Sequence, residues 1–426
     1  MTTATAPEGV TGPPPEEPPA ARPSLGRAFL DNLWTANPVV VTVLAFVLAM
    51  LTGAVLIVVS DAEVRATFDY LFARPSDAIE ASWTVVSEAY ANLFKGAIVD
   101  PEAVRGAVSG DNTWELVFFP ISETLTYATP LIFTGLSVAL AFRGGLFNIG
   151  AEGQVIIGGI LATVTGFALP LPLGVHLVVA LLAAVLGGAL WGMIAGVLKA
   201  RTGAHEVITT IMLNYIALYF LTWLIIQDGV RDPGRTDAIS KKVDGASRLP
   251  HLAGGQLRVH LGIILAVLAA AGVAWLLNRS TVGFELRAVG ANPDAARTAG
   301  MGIGRTYAIV MIISGALAGL GGASQVLGTA YALTPAFSGN VGFTGITVAL
   351  LGRAKPWGVV LAGLFFGAMQ AGGNRMQSFS GISIELVVVL QALIVIFIAA
   401  PALVKAIFQL RAARLGALQT SLAKGW

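Results

Sequence analysis

The chain has 426 residues, of which 55% are hydrophobic and only 12% are charged, with a formal net charge of +2. Soluble domains usually carry about 25% charged residues, so the composition excludes an ordinary soluble protein. The small net charge gives no indication of a nucleic-acid partner. Because the sequence contains no cysteine, disulfides, thiolate metal sites and cysteine nucleophiles are excluded as well.

The N-terminal residues 1–33 are rich in proline and glutamate and contain few aromatic residues. Such a segment cannot bury enough apolar surface to fold, so we expect a disordered cytoplasmic tail. The hydrophobic run that follows is too long for the core of a signal peptide and lacks a small-x-small cleavage site. We therefore expect it to remain as a membrane anchor.

Stretches without Asp, Glu, Lys or Arg predict the membrane spans, since a helix needs roughly 20 apolar residues to cross a bilayer. Two stretches, 153–198 and 306–352, are long enough for two crossings each and have proline near their middle. Six further stretches fit one crossing each: 32–60, 124–142, 207–227, 259–278, 356–374 and 386–404. The sequence therefore predicts an all-α integral membrane protein, a polytopic bundle of about ten transmembrane helices within residues 34–404.

The charged segments between the spans predict the topology. Residues 61–117 carry ten acidic and four basic residues, and we expect this insertion outside the cytoplasm. Basic residues gather in other connections, such as 279–305, which the positive-inside rule places in the cytoplasm. Both termini, including the tail 405–426, are then expected to be cytoplasmic.

Glycines repeat at four-residue spacing in two apolar stretches, as Gly188, Gly192 and Gly196 and as Gly315 and Gly319. Lipid provides no hydrophobic drive between helices, so small residues on one face favour close backbone packing. These repeats predict a compact bundle and indicate nothing about a solute.

The connection 279–305 contains a short helix with clear end signals. Asn292 is a favourable N-cap, Pro293 fits the first helical position and Asp294 suits the positive end of the helix dipole. Gly300 supplies the stop. Three small residues lie between these signals: Ala295, Ala296 and Ala299. Because short isolated helices are marginal, we expect this helix to dock into a groove of a partner.

Four stretches together resemble a known family. Residues 285–300 (ELRAVGANPDAARTAG) are similar to the cytoplasmic coupling loop of ABC importer permeases of the ribose and branched-chain amino acid type. Residues 145–154 (GLFNIGAEGQ), 203–214 (GAHEVITTIMLN) and 340–352 (NVGFTGITVALLG) narrow the resemblance to the larger permease subunit of bacterial nucleoside importers. The similarity extends from about residue 118 to residue 404, whereas the 61–117 insertion is longer than this family leads us to expect.

The resemblance implies a transport subunit in a bacterial plasma membrane rather than an enzyme. Its implied partners are an ATP-binding cassette subunit, a second homologous permease subunit and a lipid-anchored solute-binding protein, besides membrane lipid. The chain has no G-x-x-x-x-G-K-[ST] phosphate loop and no histidines at metal-ligand spacing, so no cofactor or metal is expected in it. The residues expected to couple it to the ATPase are Glu285, Arg287, Gly290, Asn292, Pro293, Ala295, Ala296, Arg297, Ala299 and Gly300.

Polar and aromatic residues within the apolar stretches are candidates for the solute pathway, because polar groups at membrane depth are costly. The candidates are Phe147, Asn148, Glu152, Gln154, Asn214, Tyr215, Gln325, Asn340 and Thr344. Glycines flank the first four, which favours an interrupted helix lining a cavity. A solvated cytoplasmic loop is the alternative there, and interhelical hydrogen bonding is the alternative for Asn214 and Tyr215.

The sequence thus predicts a permease subunit that moves a nucleoside or a similar small polar solute inward. The same architecture with a sugar or an amino acid as solute is the first alternative. A secondary transporter driven by an ion gradient is the second, but Glu123 and Glu385 lie near span ends rather than at mid-membrane. A membrane-embedded enzyme would require a catalytic cluster, and no nucleophile-elbow or metal-ligand pattern occurs in the chain.

Overall fold

The computed structural model describes residues 38–254 and 256–408. Those residues are mainly helical, and in them β-structure is limited to two isolated bridges. The described residues divide into two compact units: Phe46–Ala400, and a smaller one to which residues 38–45 and 401–408 belong. The helical bundle lies in the larger unit. The predicted tail 1–33 and most of the predicted tail 405–426 lie outside the described residues.

The α-helices are numbered in chain order. They are α1 Pro38–Ser60, α2 Ala62–Phe68, α3 Pro75–Ala97, α4 Pro101–Ser109, α5 Trp114–Arg143, α6 Ala151–Ala168, α7 Val175–Thr202, α8 Glu206–Leu224, α9 Gly262–Arg279, α10 Thr281–Ala291, α11 Pro293–Thr298, α12 Ile303–Gln325, α13 Val341–Leu351, α14 Pro356–Ser380, α15 Ile384–Ala399 and α16 Pro401–Ile407. A π-helical turn, Val326–Ala330, extends α12, and a 3₁₀ turn, Gly245–Ser247, lies between α8 and α9.

Among the described residues, seven helices are long and apolar enough to cross a membrane, or eight if α15 and α16 form one broken span. The all-α membrane class is confirmed, whereas the count of ten spans is not. The stretch 153–198 does form two helices, α6 and α7. The stretch 306–352 instead forms one long helix followed by α13, whose 11 residues are too few to cross a bilayer.

The 61–117 insertion is largely helical and is packed against the bundle. Its helix α3 lies along α14, where a side chain at Gly372 would collide with the Leu93 carbonyl oxygen. A salt bridge of 2.6 Å between Arg375 and Asp100 adds a second attachment. The insertion is therefore a fixed part of the larger unit, and its placement outside the cytoplasm stays a prediction.

Helix α5 forms the centre of the bundle. Every residue from Ala128 to Ala141 is buried, because α9, α12, α13 and α14 all pack against this helix. A helix that is apolar on all sides is either enclosed by protein or faces lipid, and here protein encloses it. The buried course of α5 fixes where its C-terminal end, and the connection that follows it, must lie.

The predicted glycine packing is confirmed between α7 and α12. A Cβ added at Gly188 would collide with the Gly315 carbonyl oxygen, and one added at Gly192 would collide with the Met311 carbonyl oxygen. A Cβ at Gly319 would likewise collide with Ala184. The two backbones therefore touch directly, as small residues permit in membrane helices.

We expect Gly315→Ala to lower the thermal unfolding temperature of the purified protein in detergent by roughly 5 °C, because the added methyl group overpacks a backbone contact. Gly272→Ala in α9 is the matched control, since a Cβ at Gly272 has no atom within 4 Å. Equal unfolding temperatures for the two variants would contradict the assigned packing.

Candidate functional site

The connection between α5 and α6 is held by a buried polar cluster. The Asn148 side chain is 0% exposed and its Nδ2 donates to Ser314 Oγ at 2.8 Å and to Gln154 Oε1 at 3.0 Å. Its Oδ1 accepts a bond of 3.0 Å from the Gly150 backbone N–H. Ser314 Oγ in turn donates to the Ser137 carbonyl at 2.8 Å. The predicted pair Asn148 and Gln154 thus bonds within the chain and ties the connection to α12.

Asn214, on α8, bonds to the same connection. Its Oδ1 accepts from the Gly153 N–H at 2.8 Å, and its Nδ2 donates to the Ile149 carbonyl at 3.0 Å. One amide therefore satisfies a backbone donor and a backbone acceptor in the connection between two helices. Irregular backbone that is buried away from water requires internal partners of this kind.

Glu152 lies at the beginning of α6 and caps the separate helix α13. Its side chain is 5% exposed, and its Oε2 accepts from the Gly342 backbone N–H at 2.8 Å. The same carboxylate also interacts with the Ser338 side chain and the Phe343 backbone N–H. A negative charge is favourable at a helix N-terminus, where backbone N–H groups lack partners within the helix. Asn340, the residue preceding α13, makes no side-chain cap of its own.

A cavity of about 490 Å³ lies beside this capped helix end, and we call it the solute pocket. Four of the predicted pathway residues line it, namely Glu152, Asn214, Tyr215 and Asn340. The remaining lining residues are Ile149, Ile156, Ile211, Leu218, Pro335, Ala336, Ser338, Gly339 and Phe343. The size is that of small-molecule sites, and the lining combines apolar walls with few polar groups, as such sites usually do.

Two aromatic rings and one carboxylate dominate the chemistry of the solute pocket. Tyr215 is 54% exposed and Phe343 is 42% exposed, so both present ring surface. Glu152 is the single ionisable acid in the lining, and none of the lining residues is Lys, Arg or His. The pocket can stack a planar group and accept hydrogen bonds, but it offers no cation to an anionic solute.

The other predicted pathway residues lie away from the solute pocket lining. Phe147 packs on Phe142 with ring centroids 5.0 Å apart. Gln325 is half-buried at the end of α12, and its carbonyl accepts from Thr329. Thr344 donates to the Asn340 carbonyl at 3.2 Å within the first turn of α13. These three residues are not brought together.

The sequence interpretation missed Ser338 and Phe343 in the pocket and Ser137 and Ser314 in the polar cluster. Phe343 lies three residues after Asn340, in a stretch already singled out for its resemblance. Ser338 follows the Pro335 break and could have been found from that signal. Ser137 and Ser314 lie within apolar helices, and only the packing of α5 against α12 shows that they meet.

The predicted coupling helix forms as α11, Pro293–Thr298. Asn292 Oδ1 accepts from the N–H groups of Asp294 and Ala295 at 3.0 and 3.1 Å. Gly300 has φ +81°, the left-handed conformation that suits a helix stop. The local prediction of cap, first residue and stop is therefore confirmed.

The three alanines of this segment differ in exposure. Ala296 is 4% exposed and packs within the chain, whereas Ala295 and Ala299 are exposed. Arg297 is exposed as well and pairs with Asp294 at 3.2 Å. The outward face of α11 is therefore small and polar.

A bundle of membrane-length helices beside a small pocket with apolar and polar lining residues is compatible with a permease. Residues 121–399 match the family described as "Branched-chain amino acid transport system / permease component". The chain belongs to this family. It is accordingly a multi-pass membrane permease subunit of a transport system.

Several characterised relatives are similar over most of their length. The guanosine ABC transporter permease protein NupP of Bacillus subtilis is 43% identical over 72% of this chain and 90% of its own. The nucleoside ABC transporter permease protein NupB of Lactococcus lactis is 38% identical over 66% and 79% of the two chains. The glucose ABC transporter permease protein TsgB13 of Haloferax volcanii is 36% identical over 66% and 76%. No solved structure matches this chain.

We expect Asn148→Ala to destabilise the protein by about 1–3 kcal/mol, because it leaves several buried polar groups unpaired. Thermal unfolding in detergent measures this loss. Asn278→Ala is the matched control, since Asn278 is exposed on α9. If Asn148→Ala instead kept wild-type stability and changed the preference among solutes, Asn148 would be a pathway residue rather than a structural one.

Proposed function

We propose that this chain is the permease subunit of an ATP-driven importer that carries nucleosides into the cytoplasm. The solute pocket carries the proposal, because it sets Tyr215 and Phe343 beside the Glu152 carboxylate. The relatives named as guanosine and nucleoside permeases support the same solute class.

Both the base and the polar groups of a nucleoside suit the residues that line the pocket. Its base is planar and stacks on aromatic rings, which is worth about 1–3 kcal/mol per base. Its hydroxyl and N–H groups can donate to the carboxylate of Glu152 and to the amide oxygen of Asn340. The pocket volume of about 490 Å³ accommodates a solute of this size.

The same pocket disfavours phosphorylated solutes. Phosphate recognition normally uses Arg, Lys or a row of backbone N–H groups at a helix N-terminus. The pocket lining contains no basic residue, and Glu152 already occupies the N-terminus of α13. A nucleoside monophosphate would place its negative charge beside this carboxylate, so the neutral nucleoside is the expected solute.

The orientation in the membrane follows from the helix ends around α11. These ends and their connections are mainly basic: Arg143, Lys199, Arg201, Arg279, Arg287, Arg297, Arg305, Arg353 and Lys355. The acidic residues of the same segments are Glu206, Glu285 and Asp294. The positive-inside rule puts such an end in the cytoplasm, and we propose this orientation, with both termini on that side.

An ATP-binding cassette subunit would then dock on the exposed face of α10 and α11. Ala295 and Ala299 supply a small surface there, while Glu285, Arg287 and Arg297 supply charged contacts. Asn292, Pro293, Ala296 and Gly300 would hold the helix in place, whereas Gly290 contacts the connection after α5 and would take part in coupling rather than in docking. A second homologous permease would complete the pathway, and a lipid-anchored solute-binding protein would deliver the solute from outside.

Sugar import is the second candidate, because one relative is named as a glucose permease at 36% identity. The nucleoside and sugar hypotheses differ in how the solute would contact the aromatic rings. A nucleoside requires a ring face for its base, whereas a free hexose depends more on hydroxyl partners.

For the solute, we expect Tyr215→Ala to reduce uptake of radiolabelled guanosine about tenfold, since loss of one stacking contact of roughly 1.4 kcal/mol corresponds to that factor. Cells without other nucleoside uptake, expressing the whole transporter, provide the assay. Tyr219→Ala is the control, because Tyr219 is exposed one turn further along α8 and does not line the pocket. Unlabelled guanosine should compete, while guanosine monophosphate and glucose should not. Competition by glucose alone would favour the sugar reading.

For the ATPase, we expect Ala295→Trp to reduce both co-purification of the ATP-binding subunit and uptake by at least tenfold, because a bulky ring cannot enter a groove that fits alanine. Ala295→Ser keeps the small size and should behave as the wild type. Undiminished uptake by Ala295→Trp would contradict docking at α11.

A further inference from the structure

The connection that follows α5 touches both the coupling region and the solute pocket. We propose that residues 143–152 transmit the displacement of α11 to α13 and thereby open and close one wall of the pocket. This inference rests on the proposed function, since it assumes that an ATPase moves α11. It assigns positioning roles to Arg143, Gly145, Glu152 and Gly290.

The first contact joins the segment to α10. Gly145 has φ +72°, and a Cβ there would lie 2.9 Å from the Gly290 Cα. A Cβ at Gly290 would lie 2.8 Å from the Gly145 nitrogen and would collide with the Arg143 carbonyl oxygen. The two backbones therefore meet without intervening side chains. Gly290 precedes the Asn292 cap of α11 by two residues, so a movement of α11 reaches this contact directly.

Two further contacts join the same segment to both ends of α13. Glu152 Oε2 accepts from the Gly342 N–H at 2.8 Å at the N-terminal end. Arg143 Nε donates to the Ala354 carbonyl at 3.0 Å just beyond the C-terminal end. Because the segment is hydrogen-bonded at both ends of α13, a displacement of the segment would also displace α13. Since α13 contributes Phe343 and follows Asn340, its movement displaces one wall of the pocket.

The segment itself is braced against deformation. Asn148 is hydrogen-bonded to the backbone of Gly150, and Asn214 is hydrogen-bonded to the backbone of Ile149 and Gly153. A close-packed and hydrogen-bonded connection transmits displacement rather than absorbing it. The rigidity of this polar cluster thus gives Asn148 a part in transport although it does not line the solute pocket.

Gly290→Ala tests the proposal in the complete transporter reconstituted into liposomes. The added methyl group separates α10 from the segment but leaves the exposed face of α11 unchanged. We expect the ATPase to remain bound and to hydrolyse ATP, while solute uptake per ATP falls about tenfold, which is within the usual range of coupling effects. Gly272→Ala, whose Cβ has free space, should keep the wild-type ratio. A wild-type ratio in Gly290→Ala overturns the proposal.

Arg143→Lys is a second variant for the case in which Gly290→Ala does not fold. It keeps the positive charge but removes the Nε–H donor that bonds Ala354. We expect a reduced ratio of uptake to ATP hydrolysis with normal assembly, and an unchanged ratio in this variant overturns the proposed grip on α13.

A spectroscopic readout separates this inference from the identity of the solute. Because the chain has no cysteine, spin labels can be placed by Leu350→Cys on α13 and Leu268→Cys on α9, both exposed positions. We expect an ATP-dependent change in the distance between the labels, and its loss in Gly290→Ala. A change that persists in Gly290→Ala overturns the transmission route. If no ATPase binds the wild-type chain, the proposed function itself fails.

Discussion

Buried connections between helices contain backbone N–H and carbonyl groups that water cannot reach, and the need to satisfy these groups is the constraint on which this structure depends. The break between α5 and α6 is possible because Asn148 and Asn214 pair its backbone groups. The break before α13 is possible because Glu152 accepts from the first N–H groups of that helix. Three buried side chains thus stabilise irregular backbone beside the pocket.

One of these side chains, Glu152, also determines the chemistry of the pocket. A helix N-terminus beside a cavity would ordinarily attract an anion, yet here a carboxylate of the chain occupies that position. The pocket therefore contains one acidic side chain and no basic one, and its walls are apolar and aromatic. Glu152 therefore both caps α13 and lines the pocket, so a structural role does not exclude a buried polar residue from the site.

Close contacts between backbones fix the positions of helices elsewhere in the structure. The glycines of α7 and α12 bring two spans into direct contact, and Gly145 and Gly290 do the same where α10 meets the end of α5. Backbone contacts cannot rotate away as side chains can, so they hold the position of one element relative to the next. The 61–117 insertion is attached by the same means at Gly372, together with the Asp100–Arg375 ion pair.

The sequence by itself determined the features that depend on local chemistry. Charge-free stretches identified most of the helices, and Asn292, Pro293 and Gly300 defined α11, because capping acts between neighbours in the chain. Only the tertiary structure decided the features that depend on distant partners. In the tertiary structure, α13 is a short separate helix and Ala296 is buried. Asn148 and Asn214 form hydrogen bonds with backbone groups. Glu152, Tyr215 and Phe343 line one pocket. Hydrogen bonds between residues far apart in the chain, such as Glu152 and Gly342, set these roles, and a linear pattern carries no record of which distant segment will supply the partner.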